Sequence, residues 1–223
     1  MQQLLLELAP PPAPTLDNYV PGRNAAALQA LRNIAHAAGA ERFVYLWGEP
    51  GSGRSHLLRG LAHAASGRRA LYFGGAPDGR AEADRVIAVD DVQNLPAGEQ
   101  IALFDLYNRV RAAHGALVVS AGAAPAQLAL RDDLRSRLAW GLAFQLHPLS
   151  DAEKAAALRA HARARSLDLG EEVIAYLLKH ARRDMPSLIG ILDALDRCSL
   201  ELKRPVTLPL VRDALESMKH KPA

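Results

Sequence analysis

The chain has 223 residues, 49% hydrophobic and 23% charged, with a formal net charge of +3. That length supports one or two domains with a real core, and a composition near the globular average excludes global disorder. No apolar run approaches the roughly 18 residues of a membrane span; no secretory leader pattern opens the chain, and the single cysteine, Cys198, excludes an internal disulfide. These absences favour a cytoplasmic protein that does not meet a membrane. Basic and acidic residues are mixed throughout, which permits at most weak, salt-sensitive contact with DNA.

Residues 1–15 stand apart. A short apolar stretch containing Gln3, Leu4, Leu6 and Leu8 runs into Pro10, Pro11, Pro12 and Pro14. The prolines cannot form helix interior and predict a stiff, extended spacer carrying a short peptide. The pattern then predicts a helix over 25–37, a strand over 42–47, a glycine-rich turn over 48–53 and a helix over 54–65. Strands follow over 70–73 and 86–89, then a helix over 98–113 and strands over 116–119 and 142–146. This alternation predicts an α/β core whose mostly parallel sheet is flanked by helices on both faces.

After Pro148 the pattern is all-helical. Ser150 and Glu153 form a capping box, each satisfying a free N–H of the first turn. It opens a helix over 151–165, followed by helices over 170–180, 187–202 and 208–219. The expected division is a peptide and spacer at 1–15, a nucleotide-binding core at 16–148 and a small helical lid at 149–223. Arg159, Arg163 and Arg165 recur at helical spacing and read as a solvated helix face. Cys198 reads as a small buried apolar residue.

Two motifs carry chemistry. Gly48, Gly51, Ser52, Gly53, Arg54 and Ser55 lie at P-loop spacing between a strand and a helix, with Arg54 where lysine is usual. Glycines let backbone N–H groups curl around phosphate oxygens, and the helix N-terminus adds positive potential. Ser55 would ligate Mg²⁺. Arginine is larger and planar where lysine is a point charge, so Arg54 is expected to hold a nucleotide yet place a γ-phosphate poorly. Asp90 and Asp91 end an apolar strand in a Walker B pattern, Asp90 to hold Mg²⁺ through water and Asp91 to polarise an attacking water. Further along, Arg131, Arg135 and Arg137 crowd together. The residues alone leave Arg137 two roles, an ion pair with Asp132 or Asp133 or a guanidinium offered outward.

Residues 53–58 (GRSHLL), 90–93 (DDVQ), 134–141 (LRSRLAWG) and 148–151 (PLSD) occur in this order in DnaA-related AAA+ proteins, which the chain resembles from Leu16 to about Leu215. Arg54, the short length and the missing DNA-binding appendage resemble the Hda branch. The resemblance implies an AAA+ P-loop core with a helical lid. Residues 17–22 resemble the family's adenine-side loop, giving Tyr19 and Val20 to the nucleotide; His56 joins that site through packing or hydrogen bonding. The implied cofactor is ADP or ATP, with Mg²⁺ at Ser55 and Asp90. The implied partners are DnaA and the DNA polymerase sliding clamp (β subunit) on DNA, reached through Gln3, Leu4, Leu6 and Leu8. In that reading Arg137 is the arginine finger that drives hydrolysis of DnaA-bound ATP in trans, the protein restrains replication initiation at the replisome, and Asp91 serves only a weak ATPase of its own. Gly122 replaces the family's sensor aspartate, leaving the Ser120 hydroxyl nearby, and Pro186 stands where DnaA carries an arginine, with Arg182 and Arg183 one turn away. These departures predict ADP binding at least as good as ATP binding. Other readings are an initiator- or loader-like ATPase acting on its own nucleotide, a clamp adaptor without chemistry, and a homo-oligomer that hides Arg137.

Overall fold

The computed structural model describes residues 13–68, 70–78, 81–202 and 205–219. Gln3, Leu4, Leu6 and Leu8 lie outside the described residues. The chain divides into two compact units between Pro148 and Leu149.

The first unit is built on five parallel strands: β1 (Phe43–Trp47), β2 (Leu71–Phe73), β3 (Val86–Val89), β4 (Ala116–Ala121) and β5 (Leu142–Gln145), in the order β2-β3-β4-β1-β5. The runs of the central strands β3 and β4 are buried throughout because both faces of the sheet are covered there, whereas edge strand β5 is largely exposed. Alternate residues serve opposite sides. Tyr45, Ile87, Val89, Leu117 and Val119 pack on one face with Leu103, Leu106 and Val110 of α3 (Ala97–Ala112) and Leu134 and Leu138 of α4 (Asp132–Leu138). Val44, Leu46, Val86, Ala88 and Val118 pack on the other with Leu28, Leu31 and Ile34 of α1 (Ala25–Ala35) and Leu57, Leu58 and Leu61 of α2 (Arg54–Ala64). Register aligns Ala88, Val118, Val44 and Leu142 across four strands. The motifs therefore emerge at one end of the sheet: the glycine-rich turn follows β1 and the two aspartates follow β3.

Helix α4 is not anticipated by the sequence reading. Seven residues give too little periodicity, although Asp132 and Asp133 in its first turn and Arg135 and Arg137 in its last complement a helix dipole. Its start is fixed from outside. The Gln100 side chain, buried in α3, accepts from Arg131 N at 3.0 Å and donates to Leu95 O at 2.8 Å.

The second unit holds α5 (Asp151–Ala164), α6 (Glu171–His180), α7 (Met185–Leu202) and α8 (Leu208–Lys219). The capping box is present: Glu153 N donates to Ser150 Oγ at 3.2 Å and Ser150 N to Glu153 Oε2 at 2.8 Å. Leu158, Val173, Leu177, Leu188, Leu195 and Val211 form its core, and Cys198 is buried. Pro186 lies in the first turn of α7, where its missing N–H costs nothing. The arginines of α5 are partly engaged. Arg159 grips Glu171 at 2.7 and 2.5 Å, and Arg165 lies 3.4 Å from Asp193 and 3.7 Å from Asp196. No helix among the described residues is long and apolar enough to cross a membrane.

Candidate nucleotide site

The turn from β1 into α2 has the geometry of an anion cradle. Gly51 and Gly53 have φ of +83° and +94°, values that favour glycine. A Cβ on Gly53 would also come within 2.7 Å of the Tyr19 ring. Two polar atoms here are buried without a hydrogen-bond partner, Ser52 Oγ and Arg54 Nη1. Leaving such atoms unsatisfied costs about 1–3 kcal/mol each. They sit where the free N–H groups and dipole of α2 favour an anion, so a bound phosphate would satisfy them. Ser55 opens α2 beside them, half-buried.

Residues 15–24 are clipped against this turn. Thr15 N donates to Asn18 Oδ1 at 2.9 Å and Asn18 N to Thr15 Oγ1 at 3.1 Å. His56 Nε2 lies 3.0 Å from Thr15 O and 2.9 Å from Asn18 Oδ1. Both partners accept, so Nε2 carries the proton, and burial holds the imidazole below its ordinary value. The Tyr19 hydroxyl accepts from Asn24 Nδ2 at 2.9 Å and donates to Ser52 O at 3.4 Å. Asn24 is buried and tied to His147 by two further bonds, Nδ2 to O at 2.9 Å and N to Oδ1 at 2.8 Å. The structure thus brings Tyr19 and His56 to the glycine-rich turn, with half-buried Val20 next in chain.

The acidic end of β3 is closed by its neighbours. Asp90 is 3% exposed. Its carboxylate accepts from Tyr72 Oη at 2.9 Å, from Asp91 N at 3.2 Å and from the Ser120 hydroxyl. Burial raises the Tyr72 phenol, keeping it a donor. Asp91 has φ +50°, an uncommon left-handed value for a residue other than glycine. Its Oδ1 lies 3.3 Å from Arg54 Nη1 and accepts from Gln93 Nε2 at 3.1 Å. Gln93 Oε1 in turn accepts from Gly122 N at 3.2 Å. Sequence reasoning assigned no role to Tyr72 or Gln93. Tyr72 pairs in register with Ala88, two residues before Asp90, and that adjacency exists only once β2 and β3 are paired.

The two carboxylates here do not fit magnesium, which demands an octahedral oxygen shell, and of the predicted ligands they leave the Ser55 hydroxyl. Asp90 already takes three hydrogen bonds of the roughly four a carboxylate accepts. Asp91 Oδ1 faces a guanidinium and an amide.

Arg137 lies elsewhere. It lines a small cavity with Phe43, Val44 and Leu117, at the starting ends of β1 and β4. The glycine-rich turn leaves the finishing end of β1, about 13 Å further along a five-residue strand. Its guanidinium carbon sits 4.3 Å from the centroid of the Trp140 ring and 5.9 Å from that of Phe104. The nearby carboxylates are taken: Arg135 pairs with Asp132 at 2.6 Å and Arg131 with Asp133 at 2.8 Å. Arg137 has no carboxylate partner among the described residues. Trp140, 62% exposed, and Leu142 extend an apolar surface beside it. In the helical unit, Arg183 is paired with Asp151 at 2.5 Å and Arg182 with Asp184 at 3.4 Å.

Comparison with known proteins finds relatives of both units. The family model described as "Hda, lid domain" matches residues 151–215, and that described as "Bacterial DnaA ATPase domain" matches residues 80–145. Domain III of the replication initiation protein DnaA from Thermotoga maritima is similar in structure, with a TM-score of 0.70 at 22% identity, covering 95% of this chain and 98% of that one. AMPPCP-bound DnaA from Aquifex aeolicus gives 0.68 at 21%, covering 86% and 70%. A RuvB variant from Thermotoga maritima gives 0.64 at 17%, covering 92% and 71%. At these identities the structural likeness establishes a shared fold.

Proposed function

We propose that this chain, whose residues 80–145 match the DnaA ATPase-domain model and whose residues 151–215 match the Hda lid-domain model, is a DnaA-related AAA+ protein, a negative regulator of replication initiation that stimulates hydrolysis of DnaA-bound ATP in trans. In this reading it works in the cytoplasm at the replisome, with ADP bound and its N-terminal peptide (Gln3, Leu4, Leu6, Leu8) tethered to the sliding clamp on DNA. The observation that carries the reading is the position of Arg137. It lies at the opposite end of the sheet from its own glycine-rich turn, ion-paired to no carboxylate among the described residues, beside an exposed tryptophan. A guanidinium so placed has no role in its own nucleotide site and is available to another molecule's. There it would neutralise charge developing on a transferred phosphoryl group.

The protein's own nucleotide is held by the backbone of Gly48, Gly51 and Gly53 and the side chains of Ser52, Arg54 and Ser55. Tyr19 and Val20 lie on the base side, with His56 fixing that loop. The orphaned Ser52 Oγ and the Arg54 guanidinium, whose Nη1 lies 3.3 Å from Asp91 without a hydrogen bond, are the groups a diphosphate would satisfy. Gly122 and Pro186 supply no side chain able to read a γ-phosphate, and Arg182 and Arg183 are engaged by acids of their own unit. These features support ADP as the working ligand and a weak ATPase of its own, with Asp91 its catalytic carboxylate.

The test is single-turnover hydrolysis of labelled ATP pre-bound to DnaA, with this protein, ADP and clamp loaded on DNA. Wild type should accelerate hydrolysis, and Arg137→Ala should lose most of the effect, on the scale of about 10³-fold for an arginine finger. Clamp binding should be unchanged in the variant. Equal acceleration by both proteins would overturn the finger, and no acceleration by either with clamp binding intact would leave an adaptor.

A further inference from the structure

In P-loop sites a magnesium ion bridges two negative partners, the acidic end of a strand and the phosphates. The present chain keeps the P-loop hydroxyl, Ser55, but has closed the acidic part of that bridge. Asp90 is sealed by three donors, the Tyr72 and Ser120 hydroxyls and the Asp91 N–H. Asp91 is neutralised by Arg54 and hydrogen-bonded by Gln93, which is itself pinned by Gly122 N. The wall facing the phosphates therefore offers no uncompensated carboxylate for a divalent cation. It offers a guanidinium instead. Arg54 has five N–H donors in a planar fork matched to phosphate oxygens. Only Nη1 approaches Asp91, and that atom is buried without a hydrogen bond.

We propose that Arg54, anchored on Asp91 through the left-handed backbone at that residue, takes the place of the magnesium ion, so that this chain holds its nucleoside diphosphate without a divalent metal. The inference rests on the nucleotide-binding reading above and assigns that site its counter-charge. Three residues outside the P-loop are assigned to it. Tyr72 and Ser120 mask the carboxylate a metal would need, and Gln93 holds Asp91 turned toward Arg54.

The experiment measures binding of a fluorescent ADP analogue to the full-length chain, in excess Mg²⁺ and in excess EDTA. For wild type the two dissociation constants should agree within about threefold. In Arg54→Lys, whose compact ammonium cannot hold Asp91 and a phosphate together, binding should weaken about tenfold or more on removing the metal. Wild-type binding that needs the metal, by tenfold or more, would overturn the proposal while leaving the nucleotide reading standing. Metal independence retained in Arg54→Lys would also overturn it, because Arg54 would not be the substitute. No binding of the analogue under either condition would overturn the nucleotide reading and this proposal with it. As a second readout, adding Mn²⁺ to the ADP-loaded wild type should give no water-proton relaxation enhancement beyond that of Mn²⁺ with free ADP. An enhancement would place a metal in the site and overturn the substitution.

Discussion

His56 shows how much one side chain's protonation state can depend on its partners. Its Nε2–H is committed to two acceptors, Thr15 O and Asn18 Oδ1, and burial lowers its affinity for a second proton below the ordinary value of 6.5. A histidine lowered in the folded state binds more protons when unfolded, so its contribution is complete above about 6.5 and is lost as pH falls toward the folded value. Urea midpoints at pH 7.5 and 5.5 should therefore fall further for wild type than for His56→Gln, which can still donate to Thr15 O. Equal drops would show that the destabilisation comes from other groups. Not all of this scale was legible in the sequence. Arg54, Asp90 and Asp91 stand out by spacing, and Arg137 by the family resemblance of the segment around it. That Arg54 meets Asp91 does not, because it depends on a left-handed φ at an aspartate, and nothing in the chain marks that position as glycine would. Of the arginines at 131, 135 and 137, Arg131 and Arg135 find carboxylates nearby and Arg137 does not, a distinction that only the helix geometry makes.

At the scale of elements, the strands and longer helices were readable because each physical signal is strong on its own. β3 is a wholly apolar run and β4 is apolar but for Ser120, both buried throughout, and α2 follows its glycines directly. The capping box before α5 was readable because serine and glutamate at that spacing have one common use. Ser150→Ala should cost about 1 kcal/mol. Amide exchange in the first turn of α5 should then speed up about fivefold, while exchange in β3 and β4 stays as in wild type. Uniform acceleration across both units would mean that the substitution destabilises more than the helix start. Helix α4 was not readable for the opposite reason. Its start is held by Gln100, 31 residues away in sequence, so the stabilising partner is absent from any local window. The same holds for β2, three residues long, whose Tyr72 matters to Asp90 only through strand register.

At the scale of the whole molecule, charge explains little and direction explains more. With +3 overall and Arg159 of α5 and Arg165 just after it paired with neighbouring acids, the described residues of the helical unit present no basic stripe of the kind that grips nucleic acid. In the sheet unit, by contrast, the glycine-rich turn proposed to hold phosphate lies at the finishing ends of the strands, and Arg137, with no carboxylate partner among the described residues, at their starting ends. Such a unit is polar in the way a link of chain is polar, with a hook at one end and an eye at the other. Two copies that joined hook to eye would still leave one of each exposed, so association would be head-to-tail and self-propagating unless it closed into a ring. Every link so formed would withdraw one arginine from use on another protein. Stimulation per molecule in the DnaA assay should therefore decline as this protein is concentrated, alongside growth in scattering mass, and Arg137→Glu should keep the protein monomeric at the same concentrations. A constant specific activity across that range would show that the two ends do not recognise each other, and that the eye is shaped for its own ligand alone.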